Sequence, residues 1–306
     1  MCDSMIYFCA DDYGISKKYN QCIEECVEKG ILNKVSVLPN GEIEDFVQKL
    51  SGKEVLLTLH FNFVEGRPLS SPEDIPLLID ENGNFKYSFI GLFLKSFSFK
   101  RKELERQMYT EMKSQLDFWI EKTGDRSISV DCHQHVYEIP WIFKTLMQVI
   151  RDEKLDVKYL RIPAEPIRAY LFTPALYTSY SLTGLVKQLL LKSLAFVNRR
   201  ALKGLSFSSA HFMGVMLSGK LNKIRVQKLL KPYLYFSEKN KRNIEVAFHP
   251  GYIGDDPELI SGCREDFKKF YCSPWRNTEY ETLLDNELYQ FTKEGTENAL
   301  SLKIKS

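Results

Sequence analysis

Histidine is scarce in this chain, five in 306 residues, and no apolar run approaches the ~20 residues that a bilayer-spanning helix needs. The second absence argues against an integral membrane segment. A charge excess of one sign is missing too: 42 Lys and Arg against 40 Asp and Glu leave a net charge of +2. That balance removes the electrostatic case for a nucleic-acid partner, and the cluster Lys100-Arg101-Lys102 reads as a solvated helical face. The seven cysteines, an odd number, form no disulfide framework by spacing and fit free thiols in a reducing compartment. Cys22 and Cys26 lie four apart without the second Cys/His pair of a zinc site. The opening MCDSMIYFCADDYG lacks the basic start of a secretory signal, so the expected location is cytoplasmic. There is neither an internal repeat nor a low-complexity linker.

What is present is an alternation of short β-branched or aromatic runs with longer helical patterns, the pattern of βα units around a parallel sheet. Strands are expected at 5–11, 35–39, 55–61, 128–135, 159–163, around 205–212 and at 244–250. Helices are expected at 17–29, 103–122, from Trp141, at 223–233 and at 278–286. The simplest architecture is α/β: a distorted (β/α) TIM-like barrel, one domain over 1–306. Two segments interrupt it, near 64–99 and 168–203, and loops of that length are commonly lids or insertions. The second contains LVKQLLLKSLAF, a basic and apolar helical pattern that suits a docked helix, a dimer face or contact with a membrane surface.

Polar residues fall where a barrel would use them. Asp11 and Asp12 end the first expected strand, His60 the third, His133 and His135 the fourth, His211 a later one and His249 the last. All five histidines therefore sit at strand ends, which a parallel barrel gathers on one face. Alternation along a strand would aim His133 and His135 the same way and Gln134 elsewhere. One Asp and two His suit a borderline divalent cation with a coordination position left for water. Read singly, each histidine could be a hydrogen-bonded structural residue, and Asp11-Asp12 could be a helix cap before GISKK.

In order along the chain, ADDYGIS (10–16), TLHFNFVEGRPLS (58–70), DCHQHVYEIP (131–140), RIPAEP (161–166), AFHPGY (247–252) and RNTEYETL (276–283) resemble the motifs of the YdjC-like (ChbG-type) carbohydrate deacetylases. The resemblance implies a distorted barrel that binds one divalent metal ion, Mg2+ or Zn2+, and hydrolyses the N-acetyl group of an amino sugar. It implies Asp12, His60 and His133 as metal ligands, Asp11 as general base and His249 as general acid, with His135 near the substrate. Arg161 and Arg276 would orient Asp11 or contact sugar hydroxyls. A homodimer is the subunit arrangement the resemblance suggests. The chain departs from the family pattern at Tyr137, Cys132 and Tyr13, where histidine, serine and phenylalanine are common; Tyr137 bears on the pocket wall beside His135. Two other readings stand beside this one: a barrel phosphoesterase, whose His-x-His usually follows the first strand, and a catalytically silent sugar-binding protein.

Overall fold

The computed structural model describes residues 5–50, 54–252, 259, 263–288 and 290–291. In chain order its elements are β1 (Ile6–Tyr13), α1 (Lys17–Lys29), β2 (Lys34–Val37), α2 (Phe46–Leu50), β3 (Leu56–Phe61), α3 (Phe89–Leu94), α4 (Arg101–Thr123) and β4 (Ser127–Cys132). There follow α5 (Pro140–Asp152), β5 (Asp156–Leu160), α6 (Ile167–Leu171), α7 (Leu182–Asn198), β6 (Ala210–Met213), α8 (Lys223–Asn240), β7 (Asn243–Phe248), α9 (Glu265–Tyr271) and α10 (Trp275–Leu283).

The strands form one seven-stranded sheet in the order β5-β4-β3-β2-β1-β7-β6, and every neighbouring pair is parallel. Its edges meet at a bridge between Tyr159 and Ser208. There the Leu160 amide donates to the Ser208 carbonyl at 3.1 Å and the Ser208 amide to the Lys158 carbonyl at 2.9 Å. Among the described residues the sheet thus curls into the expected distorted barrel, its two edges joined by this one short contact.

Helices seal its outer surface because their apolar residues recur on one face. In α4, Leu104, Met108, Met112 and Leu116 are buried, one every fourth residue, and the helix stops at Gly124, whose φ of 70° favours glycine. The Ser16 hydroxyl caps α1 by accepting from the Tyr19 amide, and the Asn222 side chain caps α8 by accepting from the Arg225 amide at 3.0 Å. Such a cap typically contributes ~1 kcal/mol.

The expected boundaries shift at three places. The fourth strand stops at Cys132, and His133–Glu138 follow as short 3₁₀ turns broken by a kink at Gln134 and His135. The sixth covers only Ala210–Met213, and the last helix begins at Trp275, ahead of the expected start at 278. The two interruptions contain α3 and α7, which pack together where Phe89 meets the buried cluster of Leu191 and Phe212.

Candidate active site

A cavity of about 350 Å³ opens at the C-terminal ends of the strands and is lined by Asp11, Asp12, His60, His133, Gln134, His135, Phe212 and His249, among others. Two local distortions build it. Along a regular strand, adjacent Asp11 and Asp12 would face opposite sides of the sheet. The register with β2 shifts between Ala10 and Tyr13, and Asp12 has a φ of 66°, so both carboxylates reach the cavity. Aspartate tolerates this left-handed conformation better than most residues.

The second distortion corrects the alternation expected for His133 and His135. Neither lies on the strand: Gln134 and His135 have φ of 51° and 58°, and Gln134 lines the cavity together with both histidines. The two imidazoles share one cavity because the chain coils there. His211 does not join them. It lies within β6, its Nε2 3.3 Å from Asn240, and its neighbour Phe212 faces the cavity instead.

Asp12 is the centre of the cluster. Its Oδ1 lies 2.6 Å from His133 Nδ1 and 3.2 Å from His60 Nε2. Its Oδ2 accepts from the Tyr271 hydroxyl and lies 3.9 Å from His249 Nε2. On the far side of His60, Nδ1 meets Asp131 Oδ1 at 2.6 Å. Asp131 is held in turn by the Ser36 hydroxyl at 2.6 Å, by Arg161 at 2.9 Å and by Lys34 at 3.3 Å.

Ligand-capable atoms of Asp12, His60 and His133 all lie within 4.8 Å of one another. The donor set fits a divalent cation. It offers two imidazoles and a carboxylate, and the second nitrogen of His60 is fixed by a carboxylate, a common arrangement behind metal-binding histidines. The electrostatics agree: burial alone would lower the His60 pKa, yet Asp131, Asp12 and Asp11 raise it to about 10. The surrounding carboxylates favour positive charge at this point.

Arg161 sits beneath the cavity, fully buried, with both oxygens of Asp11 in its fork at 2.7 Å. Burial would raise the Asp11 carboxyl, but Arg161 and His60 outweigh it and hold the pKa at about 2. Arg276 is equally buried and donates to the His249 carbonyl at 2.9 Å and the Gly219 carbonyl at 2.6 Å. Neither arginine lines the cavity: Arg161 reaches Asp11 and Arg276 reaches the His249 carbonyl from beneath it. His249 packs its ring against Phe270, centroids 5.1 Å apart, and burial pushes its pKa down to about 4 despite the nearby Asp12 and Asp11. Its backbone amide donates to Glu279 Oε2 at 2.7 Å, and the same oxygen lies 3.9 Å from Nδ1.

The family model described as YdjC-like protein matches residues 5–294. The chain belongs to the YdjC-like family. A zebrafish relative named carbohydrate deacetylase is 26% identical over 301 residues, covering 93% of each chain. A chitooligosaccharide deacetylase of Escherichia fergusonii is also 26% identical, over 289 residues, with 94% of this chain and 93% of that one covered. A crystal structure of a candidate cellobiose-phosphate cleavage protein from Enterococcus faecalis shares the fold. Its TM-score is 0.67, with 17% identity and 96% of both chains covered.

For a YdjC-like chain, Tyr137 is less disruptive than the sequence suggests. It is buried, and its hydroxyl donates to the Arg161 carbonyl, so it braces the loop after β5 and does not form cavity wall. What sequence reasoning missed is the ionic layer under the site: Asp131, Lys34 and Glu245, all fully buried. Lys34 Nζ lies 2.7 Å from Glu245 Oε1, which Arg161 also reaches at 2.6 Å. The available signal was a charged residue inside an otherwise apolar strand, as in KVSV and IEVAF, because such a charge must be paired to be buried.

Proposed function

We propose that this protein is a metal-dependent carbohydrate deacetylase that hydrolyses the N-acetyl group of an amino sugar. The reading is carried by one observation: a metal-competent Asp12-His60-His133 group flanked in the same cavity by Asp11 and His249. The names of the relatives supply the substrate class.

Amide hydrolysis needs an activated nucleophile, a polarised carbonyl and a protonated leaving amine. A Zn2+ or Mg2+ ion held by Asp12, His60 and His133 would acidify a water and act as a Lewis acid on the acetyl oxygen. Asp11, ionised at neutral pH and fixed by Arg161, takes up the proton of the attacking water. His249 delivers a proton to the departing sugar amine. Burial keeps its imidazole neutral at pH 7, so it must gain that proton during turnover, and the Glu279 carboxylate 3.9 Å from Nδ1 is placed to stabilise the charged ring. Each transfer is typically worth ~10²–10⁴-fold in rate. His135, at the cavity wall against Phe212 with centroids 5.5 Å apart, is placed to contact the sugar.

The test is acetate release from a panel of N-acetylated amino sugars, with the protein stripped by chelator and then reloaded. Release that disappears on stripping and returns with Zn2+ or Mg2+ supports the reading. Release indifferent to the metal, or phosphate release from sugar phosphates instead, overturns it.

A further inference from the structure

Beside the catalytic cavity lies a second one of about 500 Å³. Its walls are Phe89 and Ile90 of α3 and Leu182, Val186, Leu190 and Leu191 of α7. The two cavities are neighbours that share Gln134 and Lys187 as lining residues. Elongated sugars bind through hydroxyl partners and stacked aromatics, and a groove walled mainly by aliphatic side chains, with one aromatic, Phe89, and one hydroxyl, Thr183, offers few of either. It matches a hydrocarbon chain.

The groove continues into an exposed apolar face. Helix α7 buries Leu191 and Leu194 but leaves Leu182 76% and Phe196 61% exposed; on the facing segment Ile90 is 67% and Phe97 79% exposed. Apolar exposure this concentrated marks an interaction surface. Among the described residues no helix is long and apolar enough to cross a membrane; an exposed apolar face on a helix lying along the surface suits contact with a bilayer surface.

The charge pattern selects the occupant. Although the chain is nearly neutral, residues 166–203 contain six Lys and Arg and no Asp or Glu, and residues 82–102 contain five and none. Both segments that build the groove are therefore purely cationic in their charged residues. Apolar side chains flanked by cations complement an anionic lipid surface.

Resting on the deacetylase reading, we infer that the substrate is an amphiphile: an N-acetylated amino sugar joined through a phosphate to a long hydrocarbon chain. The sugar occupies the catalytic cavity, the chain lies between α3 and α7, and Lys187 at the junction faces the phosphate. The protein meets this substrate at an anionic membrane surface.

The experiment pairs flotation with kinetics. The protein is mixed with phosphatidylglycerol–phosphatidylcholine vesicles or with phosphatidylcholine vesicles alone. Acetate release is measured from N-acetylglucosaminyl phosphate esterified to a long alkyl chain or to methyl. Flotation with the anionic vesicles only, weakened by salt, is expected, together with a kcat/KM for the long-chain ester at least ~10-fold above that for the methyl ester. Leu189→Glu with Phe196→Glu, both exposed and outside the groove wall, should abolish flotation and leave methyl-ester turnover unchanged. Val186→Glu should raise KM for the long-chain ester by at least ~10-fold with no change in Tm. Equal turnover of the two esters, or no flotation, overturns the inference while leaving a deacetylase. Flotation without acetate from either ester overturns the substrate assignment, and the deacetylase reading falls with it only if the panel of N-acetylated amino sugars yields no acetate either.

Discussion

Arg161 holds Asp11 by both carboxylate oxygens, Nη1 on Oδ2 and Nη2 on Oδ1, each at 2.7 Å. The same guanidinium reaches Glu245 at 2.6 Å and Asp131 at 2.9 Å, so one cation neutralises three buried acids with help from Lys34. Removing one partner of a buried ionic cluster leaves the others uncompensated, a larger loss than the cluster's net worth.

Arg161→Met is therefore expected to destabilise the fold by ~3–5 kcal/mol. Urea unfolding measures it. A loss below ~1 kcal/mol would show that the cluster rearranges or takes up protons instead of depending on this cation.

Asp131 touches no substrate-facing surface but fixes Nδ1 of His60 at 2.6 Å. Asp131→Asn should weaken metal affinity ~10–100-fold, read by competition with a chelator. Activity should be partly restored at saturating metal. Unchanged affinity would remove Asp131 from the metal site.

Much of this arrangement was legible in the sequence. The motifs placed Asp11, Asp12, His60, His133 and His249 at one end of a parallel barrel, because strand ends are marked by where apolar runs stop. The coil at Gln134-His135 and the bulge at Asp12 were not legible: both depend on left-handed backbone, and neither leaves a periodic trace. The ionic layer was hidden for a different reason. Lys34 and Glu245 pair across 211 positions of sequence, a relationship that only the strand order reveals.

Metal binding should also report on stability. If Asp12, His60 and His133 hold the ion only in the folded state, adding it raises Tm in a concentration-dependent way, with ~2.7 kcal/mol gained at a hundredfold excess over Kd. His133→Ala should abolish the shift. A shift that persists in this variant would place the ion elsewhere.

Glu138 provides a pH prediction away from the metal group. Burial raises its carboxyl to about 8, with Asn198 as its side-chain partner at 3.0 Å. Above its unfolded pKa the unfolded chain releases this proton while the folded one retains it. Stability from this group is thus complete below about pH 4.5, the ordinary value, and declines until the pH passes about 8. Glu138→Gln should flatten the difference in unfolding free energy over that interval. An unchanged pH profile would mean that Glu138 is ionised in the fold.

The most direct test of the central claim is acetate release by metal-loaded Asp11→Asn and His249→Ala proteins on whichever amino sugar the native chain deacetylates. Both variants should bind metal as the native protein does and lose ~10²-fold or more in kcat. Native-like turnover in either, with metal bound, would contradict the assignment of base and acid on which the mechanism stands.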